Sequence, residues 1–152
     1  MTYYYWDTSA VAKHYHVEVG TPNVDAILAE PDATHLISRL GVVEFHSLSA
    51  KKVRMGIFST SEFHLVCRQF FADIANGVYQ VISLLTSHFL EAERLLTTHA
   101  TVSNLRTLDA IQLAIAFDLR QQKRLDYFVC ADSNLCNVAA AEGLAVINPE
   151  NP

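Results

Sequence analysis

The stretch Tyr3-Tyr4-Tyr5-Trp6-Asp7-Thr8-Ser9 decides the fold of this chain. Its aromatic run favours a β-strand, because large aromatic side chains pack well on a pleated surface. Thr8 or Ser9 can cap a helix that continues to about His16, since a side-chain hydroxyl accepts from the free backbone amides of a first helical turn. The stretch therefore predicts a strand that passes directly into a helix.

Four further apolar runs alternate with helical patterns along the rest of the chain. We predict strands over residues 34–38, 78–84, 127–130 and 144–147, and helices over about 22–30, 40–55, 61–75, 87–98, 107–122 and 133–142. Short apolar strands that alternate with helices are typical of a parallel sheet with helices on both faces. No repeat, linker or change of composition divides residues 1–152, so we expect a single α/β domain.

The composition fits one globular domain and argues against several other classes of protein. Hydrophobic residues make up 51% of the chain and charged residues 18%, which is enough apolar material for a buried core. No apolar run approaches the about 20 residues of a membrane-spanning helix. We expect no signal peptide, because no basic region precedes an apolar run at the N-terminus. Three cysteines without a disulfide-framework spacing favour a reduced, cytoplasmic environment.

The charge balance bears on the kind of partner. The net charge of −5, from 11 Lys and Arg against 16 Asp and Glu, argues against nucleic-acid binding through bulk positive charge. It is compatible with an acidic site that meets phosphate groups through divalent cations. The sequence has no glycine-rich phosphate loop, dinucleotide fingerprint or nucleophile elbow, which disfavours nucleotide-dependent phosphotransfer and serine hydrolysis.

Four carboxylates occupy positions where a functional site is expected. Asp7 and Asp132 follow the first and fourth predicted strands, and ligands of parallel α/β folds lie beyond the carboxyl ends of the strands. Glu44 lies among apolar residues of the third predicted helix, and Asp109 lies early in a helix on a largely apolar face. Helix capping or an ion pair explains each acid alone. Together the four predict one acidic pocket.

An acidic pocket of this kind predicts a metal site. Two carboxylates about 4 Å apart repel by roughly 4 kcal/mol at an effective dielectric of 20, so clustered acids must bind protons or share cations. An all-oxygen ligand set selects hard ions, which favours Mg²⁺ or Mn²⁺ over zinc. Such an ion can acidify a water and stabilise charge on a phosphoryl oxygen. The expected chemistry is therefore hydrolysis of phosphodiester bonds.

Four segments, spread over essentially the whole chain, carry a family resemblance. They are WDTSA (residues 6–10), VVEF (42–45), RTLDAIQLA (106–114), and FVCAD (128–132) with GLAVINP (143–149). In this order and at these spacings they resemble the PIN-domain family, and within it the VapC-type toxin ribonucleases of toxin–antitoxin pairs.

The resemblance implies a three-layer α/β/α sandwich, with a PIN-like parallel sheet of about five strands in the order 3-2-1-4-5. It implies an endoribonuclease that depends on Mg²⁺ or Mn²⁺, in which Asp7, Glu44, Asp109 and Asp132 form a catalytic, metal-binding quartet. Asp7 and Asp109 are the expected direct ligands. The implied partners are an RNA substrate, a cognate antitoxin protein that inhibits the enzyme, and a second copy of the chain in a homodimer.

The resemblance also places substrate contacts around the quartet. Thr8 and Ser9 lie beside the first acid, Arg106 precedes the third, and Ser133 follows the fourth, where the family more often has a basic residue. Asp126 is a rival for the fourth acid, but it precedes its strand, so we expect it at the opposite edge of the sheet. The candidate phosphate contacts, which ordinary surface charge also explains, are Lys13, Lys51, Lys52, Arg54 and Arg106.

The residues leave three alternatives open. The chain could be a PIN-type nuclease that acts in RNA processing or on DNA without an antitoxin. It could be a catalytically degenerate PIN fold that serves as a binding module, although the intact quartet argues against this. It could also be a flavodoxin-like α/β domain whose acids are incidental.

Overall fold

A computed structural model describes all 152 residues of the chain. The strands are β1 (Thr2–Trp6), β2 (Ala33–Ser38), β3 (Tyr79–Ile82), β4 (Tyr127–Val129) and β5 (Val146–Ile147). The helices are α1 (Thr8–Tyr15), α2 (Thr21–Leu28), α3 (Arg39–Arg54), α4 (Thr60–Ala75), α5 (Thr86–His99), α6 (Thr107–Gln121) and α7 (Ser133–Ala141). Every predicted element is present, although β3, β4 and β5 are shorter than predicted. None of the helices combines the length and apolarity that crossing a bilayer requires.

The five strands form one sheet in the order β3-β2-β1-β4-β5, and every neighbouring pair is parallel. This confirms the predicted α/β sheet and its order. The chain builds outward from β1 to β3 and then returns to place β4 on the other side of β1. The strand order therefore reverses between β1 and β4, which is where parallel α/β folds place a ligand crevice.

Two hydrophobic clusters lie on opposite faces of the sheet. Alternation along β1 sends Tyr5 into one cluster, with residues of α5, α6 and α7, and sends Tyr4 and Trp6 into the other, with residues of α1 to α4. Helix α6 is the most enclosed helix, since every residue from 109 to 117 is buried. The helices on both faces make the three-layer α/β/α sandwich.

Capping by acids links the sheet to two of its helices. Asp7 is the N-cap of α1 and accepts from the Ser9 backbone N–H at 3.0 Å. Asp132 is the N-cap of α7 and accepts from the Leu135 N–H at 3.0 Å. The prediction that Thr8 or Ser9 caps α1 is wrong, because the helix begins at Thr8 and the extended residue before it is the acid.

Candidate functional site

All four predicted acids line one cavity of about 500 Å³, beyond the carboxyl ends of β1 and β4. Thr8, Ser9 and Arg106 line it as well. Ser133 does not belong to this lining and is exposed at the start of α7. Asp126 lies elsewhere, as expected, where it accepts from the Tyr3 backbone N–H at 2.7 Å near the amino ends of β1 and β4.

Asp7 is the most enclosed acid of the cavity, with 6% of its surface exposed. Burial raises the pKa of its carboxyl, and the nearby charges of Asp109 and Asp132 raise it further. Hydrogen bonds from the Ser9 backbone and hydroxyl to Oδ2 oppose this shift. No hydrogen bond reaches the Oδ1 atom of Asp7, so one carboxylate oxygen is fixed and the other is free.

Glu44 projects from α3 and shows the same division between its two oxygens. Oε2 accepts from Gln112 Nε2 at 2.7 Å and from Thr8 Oγ1 at 3.1 Å, and no hydrogen bond reaches Oε1. Burial and the charges of Asp7 and Asp109 raise the pKa of the Glu44 carboxyl. The hydrogen bonds from Gln112 and Thr8 act in the opposite direction.

Arg106 joins the remaining two acids. Its Nε lies 2.9 Å from Asp109 Oδ2, and its Nη2 lies 3.3 Å from Asp132 Oδ2. These carboxylates raise the pKa of Arg106, so the guanidinium is a permanent positive charge at the cavity. The Arg106 side chain is nevertheless 64% exposed, so it can leave the acids without breaking a packed core.

The oxygen atoms of the four acids are of the kind that a hard cation binds. The acids are nevertheless not arranged as a metal site in this structure. No three His, Cys, Asp or Glu side chains are grouped as metal ligands. Asp109 and Asp132 share the Arg106 guanidinium, whereas Asp7 and Glu44 each keep one free carboxylate oxygen. Carboxylate oxygens are the ligands that Mg²⁺ and Mn²⁺ prefer. The Arg106 guanidinium contacts both carboxylate oxygens of Asp109, so it would have to leave them for Asp109 to become a third ligand of a cation.

The five candidate phosphate contacts separate into paired and unpaired cations. Lys13 is buried and lies 2.6 Å from Glu150. Lys52 lies 3.4 Å from Glu18, and Arg106 is paired as described above. Lys51 and Arg54 form no ion pair, are exposed, and line the same cavity as the acids.

Sequence reasoning missed two residues that contact the acids. The buried Cys130 Sγ lies 3.9 Å from Asp7 Oδ2, and the neighbouring Cys136 thiol and burial raise the pKa of Cys130. Gln112 holds Glu44 from the middle of α6. The only sequence signal for Gln112 is a single polar residue inside the apolar run 110–117.

No family model matches this sequence, and no curated protein matches it. The fold is similar to solved toxin structures. VapC20 of Mycobacterium tuberculosis, a sarcin–ricin loop cleaving toxin, matches with a TM-score of 0.68 and 17% identity over 96% of this chain and 99% of that chain. VapBC2 of Rickettsia felis, bound to a promoter DNA fragment, matches with a TM-score of 0.63 and 14% identity, and the match covers 95% of this chain and 97% of that chain. A toxin–antitoxin complex from Klebsiella pneumoniae matches with a TM-score of 0.58 and 15% identity, and the match covers 97% of this chain and 98% of that chain. The chain therefore has the PIN-like α/β fold.

Asp7→Asn is expected to raise the melting temperature near neutral pH in a buffer with EDTA. The raised folded-state pKa means that ionised Asp7 destabilises the fold, and asparagine keeps the capping acceptor without the charge. Wild-type Asp7 becomes protonated as the pH falls through its folded-state pKa, so the advantage of the variant shrinks towards about pH 4. A gain of about 1 kcal/mol corresponds to a rise of roughly 2–4 °C.

Thermal unfolding over a pH series measures this effect, with Asp126→Asn as the matched control at the other edge of the sheet. If Asp7→Asn is less stable than wild type near neutral pH, the charge of Asp7 is not a cost to the fold.

Proposed function

We propose that this protein is a metal-dependent endoribonuclease of the VapC toxin type, inhibited by a cognate antitoxin protein. The observation that carries the proposal is the convergence of Asp7, Glu44, Asp109 and Asp132 on one cavity where the strand order reverses. The PIN-like fold supports the toxin assignment, because the similar structures are toxins and their complexes and match over nearly the whole chain.

Mg²⁺ or Mn²⁺ is the cofactor that the oxygen donors favour. We assign Asp7 and Asp109 as direct ligands, and Glu44 and Asp132 as the acids that complete the shell or orient the attacking water. A divalent ion supplies positive charge that stabilises a phosphoryl oxygen and acidifies a water. Oδ1 of Asp7 and Oε1 of Glu44 are the oxygens that the hydrogen bonds of the protein leave available for this role.

The chain's own residues supply the remaining parts of a hydrolysis. A water oxygen bonds to phosphorus and loses a proton, the bond from phosphorus to the 3′ oxygen breaks, and this oxygen takes up a proton from solvent, so the products are a 5′-phosphate and a 3′-hydroxyl. Oε1 of Glu44, which accepts no hydrogen bond from the protein, is the carboxylate oxygen available to take the proton of the water. Ser9 and Thr8 donate their hydroxyl hydrogens to Asp7 and Glu44 and so hold these acids in place.

The unpaired cations suggest how an RNA strand is held. Lys51 and Arg54 lie three residues apart in the last turn of α3. A second cavity of about 420 Å³ shares Ser9, Leu48, Lys51 and Asp132 with the acidic one, so Lys51 stands where the two cavities meet. A single-stranded segment that crosses both cavities would bring a phosphate beside Lys51 while the next bond lies over the acids.

Asp7→Asn and Asp109→Asn are each expected to reduce RNA cleavage by about 100-fold or more, because each removes a ligand charge from the site. Cleavage of total RNA by purified protein, with Mg²⁺ or Mn²⁺ and with EDTA, measures this. Asp126→Asn should cleave like wild type. Equal cleavage by Asp7→Asn and wild type in Mg²⁺ would mean that the catalytic assignment is wrong.

Expression in cells tests whether an antitoxin inhibits the protein. Induced expression of the wild-type chain should arrest growth, expression of Asp7→Asn should not, and coexpression of the product of an adjacent short reading frame should relieve the arrest. Absence of arrest by an actively cleaving wild type would favour a processing nuclease. The homodimer stays a prediction, which light scattering of the purified protein checks.

Lys51→Glu and Arg54→Glu are each expected to raise KM for a single-stranded RNA several-fold with a smaller change in kcat, since they remove binding to phosphate rather than chemistry. The salt dependence of RNA binding should also flatten, by about 0.7 in the log–log slope for each lost contact. Lys123→Glu, at an exposed lysine outside both cavities, is the control. Unchanged KM and salt slope in both variants would remove Lys51 and Arg54 from the substrate path.

Arg106→Gln is expected to lower the melting temperature without metal and to enlarge the rise that Mn²⁺ produces. The Arg106 guanidinium is the positive charge that offsets the repulsion between Asp109 and Asp132. Without it the two carboxylates repel each other more strongly, and both are free to bind Mn²⁺. Thermal shift against Mn²⁺ concentration measures both effects. Arg94→Gln, which removes a guanidinium from Glu91 and Glu142, should leave the Mn²⁺ effect unchanged.

A further inference from the structure

The side chain of Gln112 is the least expected feature of α6. It is fully buried, with 0% of its surface exposed, and it is the only polar side chain among residues 110–117. Its Oε1 accepts from the Tyr5 hydroxyl and, at 2.9 Å, from Ser38 Oγ, while its Nε2 donates to Glu44 Oε2 at 2.7 Å. A buried amide is expensive without partners, and here both of its ends have them.

The direction of these hydrogen bonds is set by the groups behind Gln112. Ser38 Oγ already accepts from the Gly41 N–H at 2.8 Å, so its own hydrogen is available for Gln112. A tyrosine phenol is protonated at neutral pH, so the Tyr5 hydroxyl donates to Gln112 Oε1. Two donors meet at Oε1, and the amide of Gln112 must therefore present its N–H₂ to Glu44.

Gly41 shows that the backbone is built around the same contacts. A Cβ at this position would lie 3.3 Å from Ser38 Oγ, 3.3 Å from Thr8 Oγ1 and 3.5 Å from Gln112 Nε2. Since Gly41 precedes Glu44 by three residues in α3, its missing side chain lets this turn of the helix approach the polar network. Strands β1 and β2 and helices α3 and α6 thus all contribute to holding one carboxylate.

We propose that Gln112 is a positioning residue for the reaction, which fixes Oε2 of Glu44 and so keeps Oε1 as the oxygen available to the cavity. This inference rests on the proposed nuclease function. Gln112 acts through Glu44, since its hydrogen bonds end on Tyr5, Ser38 and Glu44 and it does not line the cavity. Groups that orient metal-site ligands typically change metal affinity or activity by 10–100-fold when they are removed.

Gln112→Met tests the proposal, because methionine keeps the length of the side chain and loses the hydrogen bonds. We expect kcat for RNA to fall by about tenfold or more and the half-maximal Mn²⁺ concentration to rise by a similar factor. The Mn²⁺-induced rise in melting temperature should shrink as well, which is a readout independent of turnover. Ile115→Val, a fully buried change in the same helix, controls for a general loss of core stability.

A double-mutant cycle separates positioning from simple packing. In a Glu44→Ala background, Gln112→Met should change neither the Mn²⁺ effect nor the residual activity, because the group through which it acts is gone. Tyr5→Phe removes one of the two hydroxyl donors to Oε1 and should give a smaller effect of the same kind. It also tests the network if Gln112→Met fails to fold.

The outcomes distinguish this inference from the function on which it rests. If wild type does not cleave RNA with Mn²⁺, the proposed function fails. If wild type cleaves, while Gln112→Met and Tyr5→Phe keep the wild-type Mn²⁺ dependence and kcat and lose only melting temperature, Gln112 is a structural residue and the positioning role is overturned.

Discussion

Repulsion between carboxylates at one edge of a buried sheet is the constraint around which this structure is organised. Asp7 is almost fully buried, and Asp109 and Asp132 raise its pKa further. Each acid accepts hydrogen bonds from the protein. Asp7 and Asp132 accept from backbone N–H groups at the starts of α1 and α7, Asp109 accepts from the Arg106 guanidinium, and Glu44 accepts from the amide of Gln112. These donors reduce the cost of the cluster without filling the two oxygens that remain free.

The topology explains why the acids meet at this edge. The chain places β4 beside β1, so the carboxyl ends of two strands from distant parts of the sequence become neighbours. Asp7 and Asp132 follow these strands, while α3 and α6 bring Glu44 and Asp109 from opposite faces of the sheet. A site assembled from four elements that pack against one core is held rigidly, as catalysis by positioned charges requires.

Charge is distributed unevenly over the protein, although its net value is negative. Most of the cationic side chains near the site form ion pairs with acids. Lys13 pairs with Glu150, and Arg106 pairs with Asp109. Lys51 and Arg54 are the exceptions, and they stand beside the acidic cavity. The overall charge is therefore a poor guide to phosphate binding here, because only unpaired cations at the site can contribute to it.

The amino-acid sequence by itself determined the alternation of strands and helices, since apolar periodicity and capping residues act within a few positions of the chain. It also indicated the four acids, because strand ends and apolar helix faces can be read locally, and its family resemblance implied the strand order that the structure confirms. Only the tertiary structure decided which oxygens are free, that Arg106 joins Asp109 to Asp132, and that Gln112 holds Glu44. The partners of Gln112 are 68, 74 and 107 residues away along the chain. A hydrogen bond depends on a few tenths of an ångström, which local patterns do not encode and which only the packing of the whole domain defines.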